Sequence, residues 1–338
     1  MIALNDLTYE ELQVVLAAEG LPKYRAEQIF RWFSRGAENF QEMTDIAKPL
    51  RMRLSEMFEI NFAKIEKKFP SKVDETTKFL VKLREGDYAE AVLMKYKHGN
   101  TVCISTQVGC RMGCAFCAST IGGRVRDLTS GEILGQVAAI QKEAGERISN
   151  IVLMGMGEPL DNYDNVVTFL KNVNNPMGMG VGYRHISLST CGIVPKILEL
   201  ADEKMPITLS VSLHAANDET RNSIMPINKK YNIKMLIDAC SEYIEKTSRR
   251  ISFEYILLKD VNDSEPHAVA LANLLKGMLA HVNLIPANNV AESGFEKSPA
   301  NVVKKFEKML LQRGINATVR RELGSDIDAS CGQLRRKA

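Results

Sequence analysis

Apolar positions change their spacing twice along this chain. Up to about residue 60 they follow a helical period. Thr8-Tyr9-Glu10-Glu11 has the form of a capping box, and an amphipathic stretch follows to about Glu19. Pro22 suits the first turn of a second helix through Ile29, Phe30, Trp32 and Phe33, with Gly36 as its stop. A third helix is predicted over 45–58. Between Phe62 and Lys97 apolar and polar residues alternate, as in Thr77-Lys78-Phe79-Leu80-Val81-Lys82-Leu83, and the run breaks at Glu85-Gly86-Asp87. A period of two predicts antiparallel strands. From Thr101 onward, short apolar runs alternate with helical periods. The runs are Val102–Ile104, Ile151–Met154, Ile186–Ser189, Ile207–Val211, Ile251–Ile256 and Val282–Ile285, with a last strand at 317–321. Helices are predicted between them, over 131–144, 196–203, 233–246, 265–279 and 299–313.

Strands alternating with helices of this length predict a parallel sheet. The fold class is therefore α/β: a partial (βα)6 TIM-like barrel, preceded by a small N-terminal helical domain and a short antiparallel β extension. The expected boundaries are 1–60 for the helices, 61–100 for the extension, 101–315 for the barrel and 316–338 for a C-terminal segment. In such barrels chemistry sits at the C-terminal ends of the strands. Met177-Gly178-Met179-Gly180-Val181-Gly182 follows no strand directly, so it reads as a flexible connection and not a phosphate loop.

Composition changes this picture little. Of 338 residues 45% are hydrophobic and 25% charged, as in a globular protein with a sizeable core. No apolar run is long enough to span a membrane. The first 20 residues hold no Lys or Arg, which argues against a secretory leader, and a cytoplasmic protein is expected. The net charge of +3 neither requires nor excludes nucleic acid.

The seven cysteines matter more. In a cytosolic chain they point to metal or redox chemistry before disulfides. Three of them, Cys110, Cys114 and Cys117, form a C-x3-C-x2-C loop after the first barrel strand, with no fourth nearby. A structural zinc site is closed by four ligands, and electron-transfer iron–sulfur clusters usually have four thiolates. Three thiolates leave an open iron on a four-iron cube, where a small molecule can react. A zinc knuckle borrowing His214 is the competing reading. Farther on, Gly157-Glu158-Pro159 ends the second strand, where glycine permits close backbone approach and Glu158 can accept hydrogen bonds from an ammonium group. Ser189, Ser212-Leu213-His214 and Asn288 end later strands.

The cysteine spacing, with Phe116 before the third cysteine, resembles the signature of the radical S-adenosylmethionine superfamily. The segments Ser189–Pro195, Arg221–Asn228, Arg250–Tyr255 and Thr318–Arg335 resemble one branch of it, the RlmN/Cfr RNA adenine methyltransferases. Within that branch, Cys117–Thr120, Gly157-Glu158-Pro159 and Val282–Pro286 favour the RlmN side, which methylates C2, over the Cfr side, which methylates C8. The resemblance spans essentially the whole chain. It implies a [4Fe-4S] cluster on Cys110, Cys114 and Cys117. It also implies S-adenosylmethionine, two molecules per turnover, bound by Gly157, Glu158, Ser189, Ser212, Leu213, His214 and Asn288. One molecule methylates Cys331 by displacement. The second yields a 5′-deoxyadenosyl radical that activates this methyl for addition to C2. Cys103 then attacks the sulfur of Cys331, forming a transient disulfide and releasing the product, with Glu90 as proton acceptor.

The implied substrates are 23S rRNA and some tRNAs. The implied partners are an electron donor such as flavodoxin or ferredoxin and a disulfide reductant, and a monomer is expected. Residues 1–100 carry equal numbers of acidic and basic groups, so the N-terminal domain is expected to hold folded RNA by shape. Arg111, Arg124, Arg126, Arg320, Arg321, Arg335, Arg336 and Lys337 are candidates for phosphate contacts. Cys191, where many relatives have serine, is expected to pack only, and Ser330 to be neutral.

Overall fold

A computed structural model describes every residue except His98, Asn289, Ala291 and 336–338. Three helices come first: α1 (Tyr9–Ala18), α2 (Lys23–Ser34) and α3 (Lys48–Met57). The Thr8 capping box is formed, with Glu11 bonding back to the Thr8 backbone. Leu12, Leu16, Ile29, Phe30, Phe33 and Leu54 face inward and join the main core.

Ten strands then build one sheet in which each strand pairs with its neighbours in sequence. They are β1 (Ala63–Pro70), β2 (Thr76–Leu83), β3 (Tyr88–Tyr96), β4 (Gly99–Cys103), β5 (Ile148–Leu153), β6 (Ile186–Thr190), β7 (Thr208–Ser212), β8 (Ile251–Leu257), β9 (Ala280–Pro286) and β10 (Ala317–Val319). Strands β1 to β4 run antiparallel, and β4 to β10 parallel. The antiparallel extension is thus continuous with the barrel strands, with β4 belonging to both. Crossovers carry α4 (Ser130–Ala144), α5 (Tyr163–Asn174), α6 (Val194–Asp202), α7 (Asp218–Ile224), α8 (Ile233–Thr247), α9 (Glu265–Leu274) and α10 (Ala300–Gln312). Near-continuous apolar strands such as Ile251–Leu257 fit a sheet covered on both faces.

The N-terminal segment is bolted to the barrel at the start of α4. Asp6 accepts the Gly131 N–H at 2.9 Å, and Asn5 exchanges two bonds with the Asn61 backbone. A carboxylate here also complements the helix dipole. Gly131 has no room for a side chain, since a Cβ would lie 2.3 Å from the Asn5 amide. The Met177–Gly182 stretch is not a loose connection at its start: a Cβ on Gly178 would meet Ser34 at 2.6 Å and Phe30 at 2.9 Å.

Candidate active site

The sequence-predicted site residues other than Glu90 and Cys331 lie at C-terminal strand ends or in the loops that follow them. The loop after β4 turns at Gly109, where φ is +78° and a Cβ would stand 2.0 Å from the Gly123 carbonyl. That close approach folds 109–123 into a tight excursion carrying the three cysteines. Three anchors hold it. Arg111 forks onto Asp161 at 2.9 and 2.5 Å, the Ala115 N–H donates to the Ile224 carbonyl, and the Ala118 N–H donates to the Gly332 carbonyl.

Cys110, Cys114 and Cys117 line one cavity, with about 150 Å³ open to a water-sized sphere, together with Gly157, Glu158, Ser189, Ser212, His214, Glu254, Arg320 and Cys331. Burial pushes the Cys110 thiol up to about 12 and raises Cys114 and Cys117 as well, with the neighbouring thiols adding to the effect. Left alone, these thiols stay protonated. A cationic iron cluster supplies the charge that makes such a group a thiolate. The donor set therefore fits a cluster facing a cavity. It does not fit the zinc reading. His214 accepts the Ile256 N–H on Nδ1 at 3.0 Å, and its ring stands edge-on to Phe116, 4.8 Å between centroids. Among the described residues no three His, Cys, Asp or Glu groups converge on a single-ion site.

Glu158 is buried, which raises its carboxyl above the ordinary value. Its oxygens accept the Leu160 N–H at 3.0 Å and the Cys191 N–H at 2.7 Å. The Thr190 and Cys191 side chains bond it as well, so the carboxylate ties the end of β5 to the end of β6 while lining the cavity. Gly157 has φ of +103°, and a Cβ there would strike Gln107 at 2.7 Å. Ser189 and Ser212 reach the cavity. Leu213 does not, since its side chain is wholly in the core and its carbonyl accepts from Arg221. Asn288 does not line the cavity of Cys110, Cys114 and Cys117 but a second one, with Tyr96, Arg320, Arg321 and Cys331, and it donates to the Cys331 carbonyl at 2.9 Å.

Sheet register gathers the remaining groups. Lys78 on β2 pairs with Val92 on β3, which pairs with Cys103 on β4, and Glu90 lies two residues before Val92. Directly opposed residues share a face, as do residues two apart. Lys78, Glu90 and Cys103 therefore look out of the same side of the sheet. The C-terminal segment lies across it: Leu334 packs with Val92, Met94, Cys103 and Met156. Glu90 accepts the Arg335 N–H at 2.9 Å and pairs with Lys78 at 3.2 Å. Ser119 donates to the Leu334 carbonyl, Asp74 accepts the Gly324 N–H, and Asp326 accepts from Ser71 and the Lys72 N–H. Cys331 thus sits between the two cavities. Cys103 is buried and its thiol is pushed up to about 12 by that burial, with Cys331 nearby adding to it and Arg320 opposing it. All seven cysteines are free thiols.

A family model for the radical SAM superfamily matches residues 104–272. A second, for the ribosomal RNA large subunit methyltransferase N-terminal domain, matches residues 2–60. A Clostridium tetani protein named "Probable dual-specificity RNA methyltransferase RlmN" is 54% identical over 337 residues, covering 100% of this chain and 97% of its own. A Thermoanaerobacter sp. relative of the same name is 54% identical over 338 residues, covering 100% and 98%. The chain belongs to the RlmN family. A crystal structure of a radical SAM methyltransferase from Sphaerobacter thermophilus superposes with a TM-score of 0.95 at 44% identity, covering 100% of both chains. Membership in this radical SAM family implies a [4Fe-4S] cluster and S-adenosylmethionine, and the relatives carry the RlmN name, not Cfr.

RlmN membership does not make every arginine a phosphate contact. Arg124 pairs with Asp127 and Asp161, Arg126 with Glu85, Asp87 and Glu132, and Arg335 with Glu292. Arg320 lines both cavities beside Cys331. Arg321 is exposed at the rim of the second cavity, while Arg336 and Lys337 lie outside the described residues. Sequence reasoning missed two members of the site. Glu254 is buried on β8, held by Ser252 at 3.1 Å and Asn283 at 2.7 Å. Arg221 is wholly buried behind the cavity. Both occur in segments that resemble the family, but nothing in their spacing marks them. Cys191 also does more than fill space, because its N–H holds Glu158 and its carbonyl accepts from Arg221. Ser330 has a partner too, the Leu323 carbonyl at 2.7 Å.

Proposed function

We propose that this protein methylates C2 of an adenine in 23S rRNA, and of an adenine in some tRNAs, through a methyl carried on Cys331. The observation that carries this reading is the position of Cys331. It borders the cavity lined by Cys110, Cys114, Cys117 and Glu158, and also a second opening lined by Tyr96, Asn288 and Arg321. A thiol placed there can take a methyl on one side and offer it to a base on the other. C2 of adenine is an electrophilic carbon, and an ordinary sulfonium methyl is electrophilic too, so direct transfer is mismatched. Cys110, Cys114 and Cys117 would hold the cluster, which supplies one-electron cleavage of S-adenosylmethionine when bound.

The chain's own residues account for the rest. Gly157, Glu158, Ser189, Ser212 and His214 shape the cofactor pocket, and Asn288 orients the Cys331 backbone. Cys331 acts as nucleophile and carrier, in its thiolate form. Glu90 takes the C2 proton; the Cys103 thiolate then bonds to the sulfur of Cys331 as the S–CH2 bond breaks, the electron pair stays with the carbon, which takes up a proton to become the methyl group, and an external dithiol reduces the disulfide. A base stacked in RNA has to be exposed first. Residues 1–60 are the proposed RNA-holding unit, 61–100 the extension bearing Glu90, 101–315 the barrel and 316–338 the carrier segment. A flavodoxin or ferredoxin is the proposed electron donor, and the protein is proposed to work as a cytoplasmic monomer. Among the described residues no helix is long and apolar enough to cross a membrane. The test is anaerobic reconstitution with an rRNA fragment and separation of the product nucleosides. 2-Methyladenosine is expected, and its loss in Cys331→Ala; an 8-methyl product, or full activity without Cys331, refutes the reading.

A further inference from the structure

Lys78 has no role in the chemistry described so far, yet it is one of the best-buried lysines an ion pair can use. Its side chain is 11% exposed and that of Glu90 is 5%. The ammonium stands 3.2 Å from Glu90 Oε1 and 3.3 Å from the Asp328 carbonyl, with the Phe69 ring centroid at 5.5 Å. Glu90 Oε2 is occupied separately, by the Arg335 N–H at 2.9 Å. One carboxylate is therefore held at both oxygens, by strand β2 on one side and by the carrier segment on the other. Lysine and the carrier segment are tied in turn, since Asp328 is three residues from Cys331.

A buried ion pair is a poor way to gain stability, because desolvating both charges offsets most of their attraction. A lysine is expensive to immobilise, and β2 already places Phe79 and Val81 in the core. The pair makes sense if the carboxylate must be present as a charged group at one position. We propose that Lys78 is a positioning residue for the proton-transfer step: it fixes Glu90 in line with the carbon carried by Cys331 and holds the carrier segment against it. This rests on the reading of Glu90 as proton acceptor. In that step the C2–H bond breaks, the proton goes to a Glu90 oxygen, and the electron pair stays in the adenine ring. Nothing is oxidised or reduced within it, and the carboxylate becomes a neutral acid beside an ammonium that keeps its charge.

The experiment compares wild-type, Lys78→Met, Lys78→Arg and Glu90→Gln proteins with an RNA fragment deuterated at the target C2. Three quantities are read: methyl loading of Cys331 by mass spectrometry, the protein–RNA adduct through Cys331, and product formation. Lys78→Met is expected to load Cys331 normally but to lose about tenfold or more in product formation, within the range of a misplaced general base. Adduct should accumulate, and an isotope effect from C2 deuterium should appear because proton transfer has become slow. Lys78→Arg should recover most of the rate. Product formation by Lys78→Met at the wild-type rate, without adduct or isotope effect, overturns the proposal. If that happens while Glu90→Gln is inactive, only Lys78 is at fault; if Glu90→Gln is fully active, the reading of Glu90 has failed instead. Should Lys78→Met not fold, Lys78→Gln stands in for it. Slowed product formation with adduct and a raised isotope effect, both relieved in Lys78→Arg, supports positioning, and wild-type turnover by Lys78→Gln without either refutes it.

Discussion

Arg221 offers the sharpest test of how this site is framed. It is 0% exposed, and its guanidinium donates to four oxygens: the Leu213 carbonyl at 3.0 Å, Asn228 Oδ1 at 2.9 Å, the Cys191 carbonyl at 2.8 Å and the Ser212 carbonyl at 2.9 Å. The planar fork joins the ends of β6 and β7, which shape the pocket around Ser189, Ser212 and His214. Arg221→Met keeps much of the volume but provides no donor. Charge-assisted bonds net about 1.5–3 kcal/mol each, while removing a buried cation relieves part of its own desolvation. The balance is a loss of about 3–5 kcal/mol. For a chain of this length that is a fall in Tm of about 4–7 °C. Arg221→Lys restores a point charge without the fork and should lose about half as much. Thermal unfolding followed by circular dichroism gives the stability, and calorimetric titration of reconstituted protein gives S-adenosylmethionine affinity, which should weaken in both variants. A Tm within about 1 °C of wild type, with affinity unchanged, would falsify the account of Arg221 as the brace of these strand ends.

Other predictions follow from the same geometry. Gly157→Ala should lose about 2–4 kcal/mol, from positive φ and from collision with buried Gln107; unfolding in urea without a midpoint shift would contradict it. His214 is held near 3, against an ordinary 6.5, by burial and then by Arg221. A depressed histidine favours the folded state above pH 6.5, and that stability drains away as pH falls toward 3. His214→Gln, whose amide can still accept the Ile256 N–H, should flatten acid unfolding across that window; identical acid curves would count against it. Arg126 bonds Glu132 at 2.7 Å and Asp87 at 2.9 Å, so Arg126→Ala should lower Tm and leave the salt dependence of RNA affinity alone. A shallower salt slope would restore it as a phosphate contact.

Much of the fold is written in local periods. The capping box at Thr8, the alternation through Thr77–Leu83 and the apolar runs from Val102 to Ile285 all mark elements found in the structure. Helices α5 and α7 escape this reading, α7 because it spans only Asp218–Ile224, and α5 although Val166, Phe169, Leu170 and Val173 keep a helical spacing. The three clustered cysteines are legible because their spacing alone restricts the chemistry. Arg221, Glu254 and Lys78 are not, because each becomes meaningful only through partners far away in sequence: Cys191 for Arg221, Asn283 for Glu254, and Asp328 for Lys78. The same holds for Asn288, whose partner is the Cys331 backbone. Charge counts mislead for a related reason. Arg124, Arg126 and Arg335 look like free cations in the sequence, and folding gives each one a carboxylate.

The bonds from Asp74 to Gly324, Lys78 to Asp328 and Glu90 to Arg335 join residues about 250 positions apart. Closing so long a loop is entropically costly, and the cysteine loop shares in it, because the Ala118 N–H reaches the Gly332 carbonyl and Ser119 the Leu334 carbonyl. The C-terminal segment therefore braces both sides of the site at once, the cysteine loop through Gly332 and Leu334 and the Glu90 face through Arg335. Loosening that one segment would disturb the proposed cofactor side and the proposed acceptor side together.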